Sequence, residues 1–143
     1  MGSDHGGREL REALKARLQN SGITIIDHGS FTKDSVDYPD YAALVAKDVI
    51  NKKAEFGILM CTTGIGVSIS ANKFHGIRAA VVCCDDAAEF SRRHNNANII
   101  CFGGKYQTPY LAERLTKIFI NTPYDGGRHD QRLTKITELE NQY

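Results

Sequence analysis

The run Phe56-Gly57-Ile58-Leu59-Met60 passes directly into Cys61-Thr62-Thr63-Gly64-Ile65-Gly66-Val67, and this junction constrains the fold more than any other stretch of the chain. A short apolar run that ends in a thiol, two hydroxyls and two glycines reads as a buried strand feeding a tight turn and then a helix of small residues. Glycine permits unusual φ and close backbone approach, and a helix start carries partial positive charge. The N–H groups of residues 64 to 67 are therefore expected to turn toward one point that can hold an anion. Cys61 falls at the lip of that point, in a field that favours thiolate over the ordinary value of ~8.5. The chemistry implied is a nucleophile or base beside an anion hole. Taken alone, the same turn also fits a phosphate or cofactor cradle, or an inert core cysteine.

The rest of the chain alternates in the same way. Ser3-Asp4-His5-Gly6-Gly7 leads into a helix with Leu10, Leu14 and Leu18 on one face, closed by Gly22. Ile23 to Asp27 reads as a short buried strand and His28 to Asp37 as a polar loop. Asp37 is expected to cap a second helix, with Pro39 in its first turn and Tyr41, Leu44, Val45 and Val49 inward. The helix after Cys61 is expected to end near Phe74. Arg78 to Cys84 and Asn98 to Phe102 follow as strands, with a helix capped by Asp85 or Asp86 between them and another starting at Thr108-Pro109. A last helix carries Leu133, Ile136 and Leu139 on a narrow stripe. Docking on a partner suits it as well as docking on its own domain.

Strands alternating with helices predict an α/β fold, a Rossmann-like α/β/α sandwich with a parallel sheet in one domain, 1–143, with helix 128–143 reaching a partner. Ligands in such folds bind at the carboxyl ends of the strands, which gathers the Cys61 loop with the segments after Val82 and Phe102. One feature is out of place. Asp4-His5-Gly6 has the character of another loop on that rim, yet the usual first strand ahead of it is apparently lacking. Eighteen basic and 17 acidic residues leave a net charge of +1, so no broad field points to nucleic acid. Four cysteines without a paired spacing suit a reducing compartment. The absence of a signal-like start or a long apolar run predicts a soluble cytoplasmic protein without a membrane span.

Five ordered motifs carry a resemblance across essentially the whole chain. They are Asp4-His5-Gly6, Asp37-Tyr38-Pro39, Cys61-x-Thr63-Gly64-x-Gly66, Ser91-Arg92-x-His94-Asn95 and Gly126-Gly127-Arg128-His129-x-x-Arg132. Together they resemble the B-type ribose-5-phosphate isomerases, within the family that includes galactose-6-phosphate isomerase. The resemblance implies a homodimer or dimer of dimers with active sites shared between subunits, no metal and no cofactor. It implies Cys61 as the base of a cis-enediolate proton transfer, with Thr63, Gly64, Ile65 and Gly66 around the enediolate oxygen. His94 would protonate the ring oxygen, opposite Asp4 at the ring hydroxyl, with Asn95 fixing sugar hydroxyls and Tyr38 walling the pocket. His5, Arg128 and Arg132 would hold the phosphate, the two arginines sharing one helix face, and His94 and Asn95 would come from the neighbouring subunit.

Two positions depart from the pattern. Thr62 stands where glycine is common, and Lys105 near where some members place an arginine, so both bear on which sugar phosphate is used. Each residue alone has a duller account: His94 as a cation at a helix C-terminus, Asp4 as a cap, the arginines as solvated charges, Ser68, Asn72 and Lys73 as helix surface. Cys83, Cys84 and Cys101 read as core. The sequence thus predicts an isomerase of ribose 5-phosphate and ribulose 5-phosphate. A six-carbon sugar phosphate and a non-catalytic sugar-phosphate binding module are the alternatives.

Overall fold

The computed structural model describes residues 1–142; residue 143, the last of the expected domain, lies outside the described residues. Strands β1 (Gly2–Ser3), β2 (Gly57–Cys61), β3 (Ala79–Val81) and β4 (Ile99–Gly103) form one parallel sheet in the order β1-β2-β4-β3. Around it lie α1 (Arg8–Asn20), α2 (Tyr38–Ile50), α3 (Ile65–Ala71), α4 (Asp85–Arg93), α5 (Pro109–Asn121) and α6 (Asp130–Gln142). The α/β architecture is the one the alternation predicts. Among the described residues no helix is long and apolar enough to cross a membrane.

The strands are apolar throughout because both faces are covered, and side-chain alternation sorts their residues into two cores. Ile58 and Met60 of β2 and Ile100 and Phe102 of β4 pack with Leu10, Leu14 and Leu18 of α1 and Leu115 and Phe119 of α5. Leu59, Cys61, Ile99 and Cys101 face the other way, onto Ala42, Val45 and Ala46 of α2 and Val67 and Ala71 of α3. The period of two therefore places the Cys61 side chain on the α3 side of the sheet.

The expected gap at the first strand takes a definite form. β1 has two residues, paired with Leu59 and Met60 of β2, and its outer edge is covered by the segment expected as strand 23–27. That segment is not regular strand. It nonetheless pairs with the chain start: the Met1 amine donates to Ile26 O at 2.5 Å, His28 N–H donates to Met1 O at 2.9 Å, and Ser3 N–H donates to Gly29 O at 2.6 Å. With only two residues to pair against, a regular ladder cannot propagate.

Arg11 welds this corner. Its side chain is 1% exposed, Nη1 donates to Ser3 Oγ at 3.0 Å and to Ser30 O at 2.5 Å, and Nε stands 3.1 Å from Asp27 Oδ1 without hydrogen-bond alignment. Desolvation works against charge on Asp27. The Lys15 ammonium at 3.0 Å, the Gly29 N–H and the Arg11 guanidinium outweigh it and hold the carboxyl below its usual range.

Several local expectations are corrected. The Asp37 side chain makes no capping bond, so Pro39 and the extended backbone at Asp37 start α2 without it. Cys84, in extended conformation, occupies the cap position of α4, and Asp85 and Asp86 lie in the first turn, where their negative charge complements the positive end of the helix dipole. α3 ends at Ala71 rather than near Phe74, because Lys73 and Phe74 close tighter turns onto Ser70 and Ala71. Cys83 and Cys84 are exposed, contrary to the core reading, since β3 stops at Val81 and the chain turns out over the rim. Cys101 is fully buried as expected, and burial pushes its thiol well up, with Cys61 adding to the effect.

Candidate active site

The carboxyl ends of β1, β2 and β4 bring three loops together. Gly104 N–H donates to Cys61 O at 2.8 Å and Lys105 N–H to Thr62 O at 3.0 Å, fastening the loop after β4 to the loop after β2. Gly6 lies against Thr62, where a Cβ would stand 2.2 Å from the Thr62 hydroxyl oxygen. The β-branched Thr62, one of the two departures, thus packs on the Asp4–Gly7 loop.

The turn after Cys61 needs its first glycine. Gly64 has φ +80°, and a Cβ there would lie 2.9 Å from the Phe102 carbonyl carbon and 3.0 Å from Gly103 N. In this geometry Gly64 N–H donates to Cys61 Sγ at 3.1 Å and Ile65 N–H to Thr63 Oγ1 at 3.3 Å. The N–H groups of Gly66 and Val67 have no protein partner among the described residues. The expected set of four converging donors is therefore divided: one serves the thiol, one the Thr63 hydroxyl, and two remain for a ligand. Cys61 is 5% exposed, buried beneath the first turn of α3 rather than standing free at its lip.

Around this point the rim presents more of the predicted set. Asp4 is buried and accepts from Gly7 N–H at 3.0 Å through Oδ1, leaving Oδ2 for another partner. His5 is exposed. Val36 N–H donates to its Nδ1 at 3.2 Å, which makes that nitrogen the acceptor and leaves the proton on Nε2, free to donate outward. Tyr38 reaches over Gly66, where a Cβ would meet its ring at 2.8 Å, so glycine at 66 is what lets the phenol lie against the turn.

The other predicted residues are elsewhere. α4 starts at the carboxyl rim after β3 and runs back toward the amino ends of the strands, so His94 and Asn95 fall at the opposite end of the sheet from Cys61. Asn98, just beyond them, accepts from Gly57 N–H, the first residue of β2, at 2.9 Å. Arg128 and Arg132 are at that far end too. Asp125 N–H donates to Arg93 O at 3.0 Å, its carboxylate accepts from Arg93 Nε at 3.0 Å, and the His129 ring stacks on His94 with centroids 4.4 Å apart. Both arginines are exposed, and Arg132 Nη1 donates to Arg128 O at 2.9 Å, as neighbours one helical turn apart do.

One chain therefore carries the predicted residues in two groups: Cys61, Thr63, Gly64, Ile65, Gly66, Asp4, His5 and Tyr38 at one end, and His94, Asn95, Arg128 and Arg132 at the other. Two residues near the second group were not singled out as site residues. His129 is 9% exposed, with its proton affinity lowered by burial and then by His94, Arg128 and Arg132; Asp125 is held below the usual carboxylate range chiefly by Arg93. His94, His129 and Asp125 hold their donor atoms within 4.8 Å of one another. The arginines flanking this trio make it a poor cation site and a good anion neighbour.

Residues 1–136 match the family model described as Ribose/Galactose Isomerase. The chain is 41% identical over 139 residues to ribose-5-phosphate isomerase B of Escherichia coli, covering 97% of this chain and 93% of that protein. The crystal structure of a ribose 5-phosphate isomerase from Thermotoga maritima superposes with a TM-score of 0.94 at 47% identity, over 96% of this chain and 94% of the other. The Mycoplasma genitalium ribose-5-phosphate isomerase B with bound ribulose 5-phosphate gives 0.92 at 35% identity, over 99% and 95%. A family model matching residues 1–136, with relatives at this identity along nearly the whole chain, makes the chain a member of the ribose/galactose isomerase family.

Proposed function

We propose that the protein interconverts ribose 5-phosphate and ribulose 5-phosphate through a cis-enediolate, in sites completed by a second copy of the chain. The observation that carries this reading is the Cys61 thiol accepting from Gly64 N–H at 3.1 Å, with the Gly66 and Val67 amides unpartnered beside it. Cys61, as thiolate, takes the proton from C2 of the open aldose and returns it to C1 as the O2 hydroxyl proton passes to O1, while the amides and the Thr63 hydroxyl meet the charge that develops on the enediolate oxygen. Before that, the furanose must open. His94 gives a proton to the ring oxygen as the C1–O bond breaks, and Asp4 takes the proton of the anomeric hydroxyl. Asn95 fixes sugar hydroxyls, Tyr38 walls the pocket, and His5 Nε2–H with Arg128 and Arg132 holds the phosphate.

His94 and Cys61 lie at opposite ends of one sheet, so they meet only across two chains. Ile65 and Ile69 of α3 are 54% and 56% exposed immediately beside the Cys61 turn, and Val81 and Phe90 add apolar surface, which suits a face covered by another copy. α6 belongs to the same assembly: Ile136 and Leu139 remain 40% and 57% exposed, and the helix is expected to reach the partner. Mixing inactive Cys61→Ala with inactive His94→Asn protein, under conditions of subunit exchange, is expected to restore about a quarter of wild-type activity. Half the dimers are then mixed and each has one intact site. No recovery, with exchange demonstrated, would mean that Cys61 and His94 do not serve one shared site.

The reaction is tested by turnover of the purified chain on ribose 5-phosphate beside allose 6-phosphate and galactose 6-phosphate. Preference for the pentose supports the reading; preference for a hexose phosphate keeps the chemistry and changes the sugar. Folded protein inactive on all three would leave a binding module. Arg128→Ala is expected to raise KM by about tenfold with a smaller change in kcat, because the phosphate anchors the substrate away from the reacting carbons. An unchanged KM would remove Arg128 from the phosphate site.

A further inference from the structure

The ring of His94 is held on both faces. Phe90, one turn earlier on α4, stacks on it with centroids 4.8 Å apart and planes at 23°, and His129 stacks at 4.4 Å and 14°. Two flat rings that both stack on a third without meeting one another occupy its two sides. His129 is itself fixed. It sits in a short 3₁₀ turn, Gly127–His129, its side chain is buried, and the segment leading into it is tied to α4 through Asp125, which accepts from Arg93 and donates its N–H to Arg93 O. Exposed histidines at helix ends ordinarily sample several rotamers; this one is sandwiched.

We infer that His129 is a positioning residue for ring opening, clamping the His94 imidazole against Phe90 in the plane from which its proton reaches the sugar ring oxygen. The inference rests on the assignment of ring opening to His94 made above. The charged groups that act on His129 are Asp125, Arg128 in its own 3₁₀ turn and Arg132 on α6, with Arg93 of α4 paired to Asp125. Burial and the neighbouring positive charges disfavour a proton on His129, which suits a flat neutral face that does not compete with His94 as the acid. A proton donor must lie within hydrogen-bond reach of its acceptor in the correct orientation, and small misplacements cost heavily. His129 touches no substrate in this account; it acts through His94.

The test compares two substrates. Ribose 5-phosphate must be opened, whereas 4-deoxyribose 5-phosphate lacks the hydroxyl that closes the furanose and arrives open. His129→Ala is expected to lower kcat on ribose 5-phosphate about tenfold and to change turnover of the deoxy compound less than about twofold. His129→Phe, which keeps a flat face without a titrating group, is expected to recover most of the loss. His94→Asn is measured alongside. If His94→Asn discriminates between the substrates and His129→Ala does not, the clamp is wrong and the role of His94 stands. If His94→Asn slows both substrates equally, ring opening by His94 is wrong and the clamp falls with it. A purely structural role for His129 would lower turnover on both substrates alike, and would overturn the inference.

Discussion

Replacing Cys61 with alanine is expected to lower kcat on ribose 5-phosphate by about a thousandfold while leaving the dissociation constant for the phosphorylated sugar within a few-fold. A general base contributes roughly 10² to 10⁴ in rate, and here the sulfur is the acceptor at the carbon whose proton must move. In the proposed site the phosphate is held by His5 and the two arginines, away from the thiol. The Cys61 side chain lies in the apolar layer with Val67 and Ala71, so the missing sulfur removes one small buried group, and a well-folded variant is expected. Cys61→Ser is the sharper comparison, since it keeps the volume and a hydroxyl acceptor for Gly64 N–H and loses only the acidity of the thiol. Near wild-type turnover in both variants would remove Cys61 from the chemistry and leave the isomerase without its proposed base.

The second large effect concerns stability. Arg11→Ala is expected to cost roughly 3–5 kcal/mol, because it strips a buried carboxylate, Asp27, of a charge partner and leaves the Ser30 carbonyl and Ser3 hydroxyl without their donor. In a chain of this size such a loss corresponds to a drop in Tm of about 10 °C, read by thermal unfolding at fixed protein concentration. The pH dependence should change with it. Asp27 has its folded-state proton affinity lowered, so its contribution is complete above the ordinary carboxylate range and is lost as pH falls through that range. Without Arg11 the depression is smaller, and less of the variant's stability is lost on acidification. A Tm within a degree or two of wild type would mean that the corner of β1, Asp27 and Ser30 holds without its arginine.

This corner was the least legible part of the sequence. Ile23 to Asp27 has strand composition, yet the structure leaves it irregular because its neighbour, β1, offers two residues of backbone. The pairing that would regularise it depends on a contact twenty-odd residues away along the chain. Arg11 stands at i−3 to Leu14 and i−7 to Leu18, on the apolar face of α1, but a guanidinium is read from sequence as solvated, and only the partners supplied by Ser3, Asp27 and Ser30 make its burial possible. Cys83 and Cys84 misled for a related reason: they follow an apolar run, but β3 ends at Val81, and apolar composition does not say where a strand leaves the sheet. His129, by contrast, carried a signal that went unused. It stood inside a quoted motif, between two arginines assigned to phosphate.

What the sequence determined by itself is the local chemistry: alternating strands and helices, a glycine turn that sets backbone N–H groups beside a thiol, and five motifs in family order. These depend on residue type and short spacing, which are written in the chain. What only the tertiary structure decided is how those pieces are distributed in space. The side-chain alternation of β2 puts Cys61 under α3, and the direction of α4 carries His94 away to the far end of the sheet. The stacking of Phe90 and His129 on that ring, and the separation of His94 from Cys61, follow from long-range packing, in which residues far apart in sequence compete for the same volume.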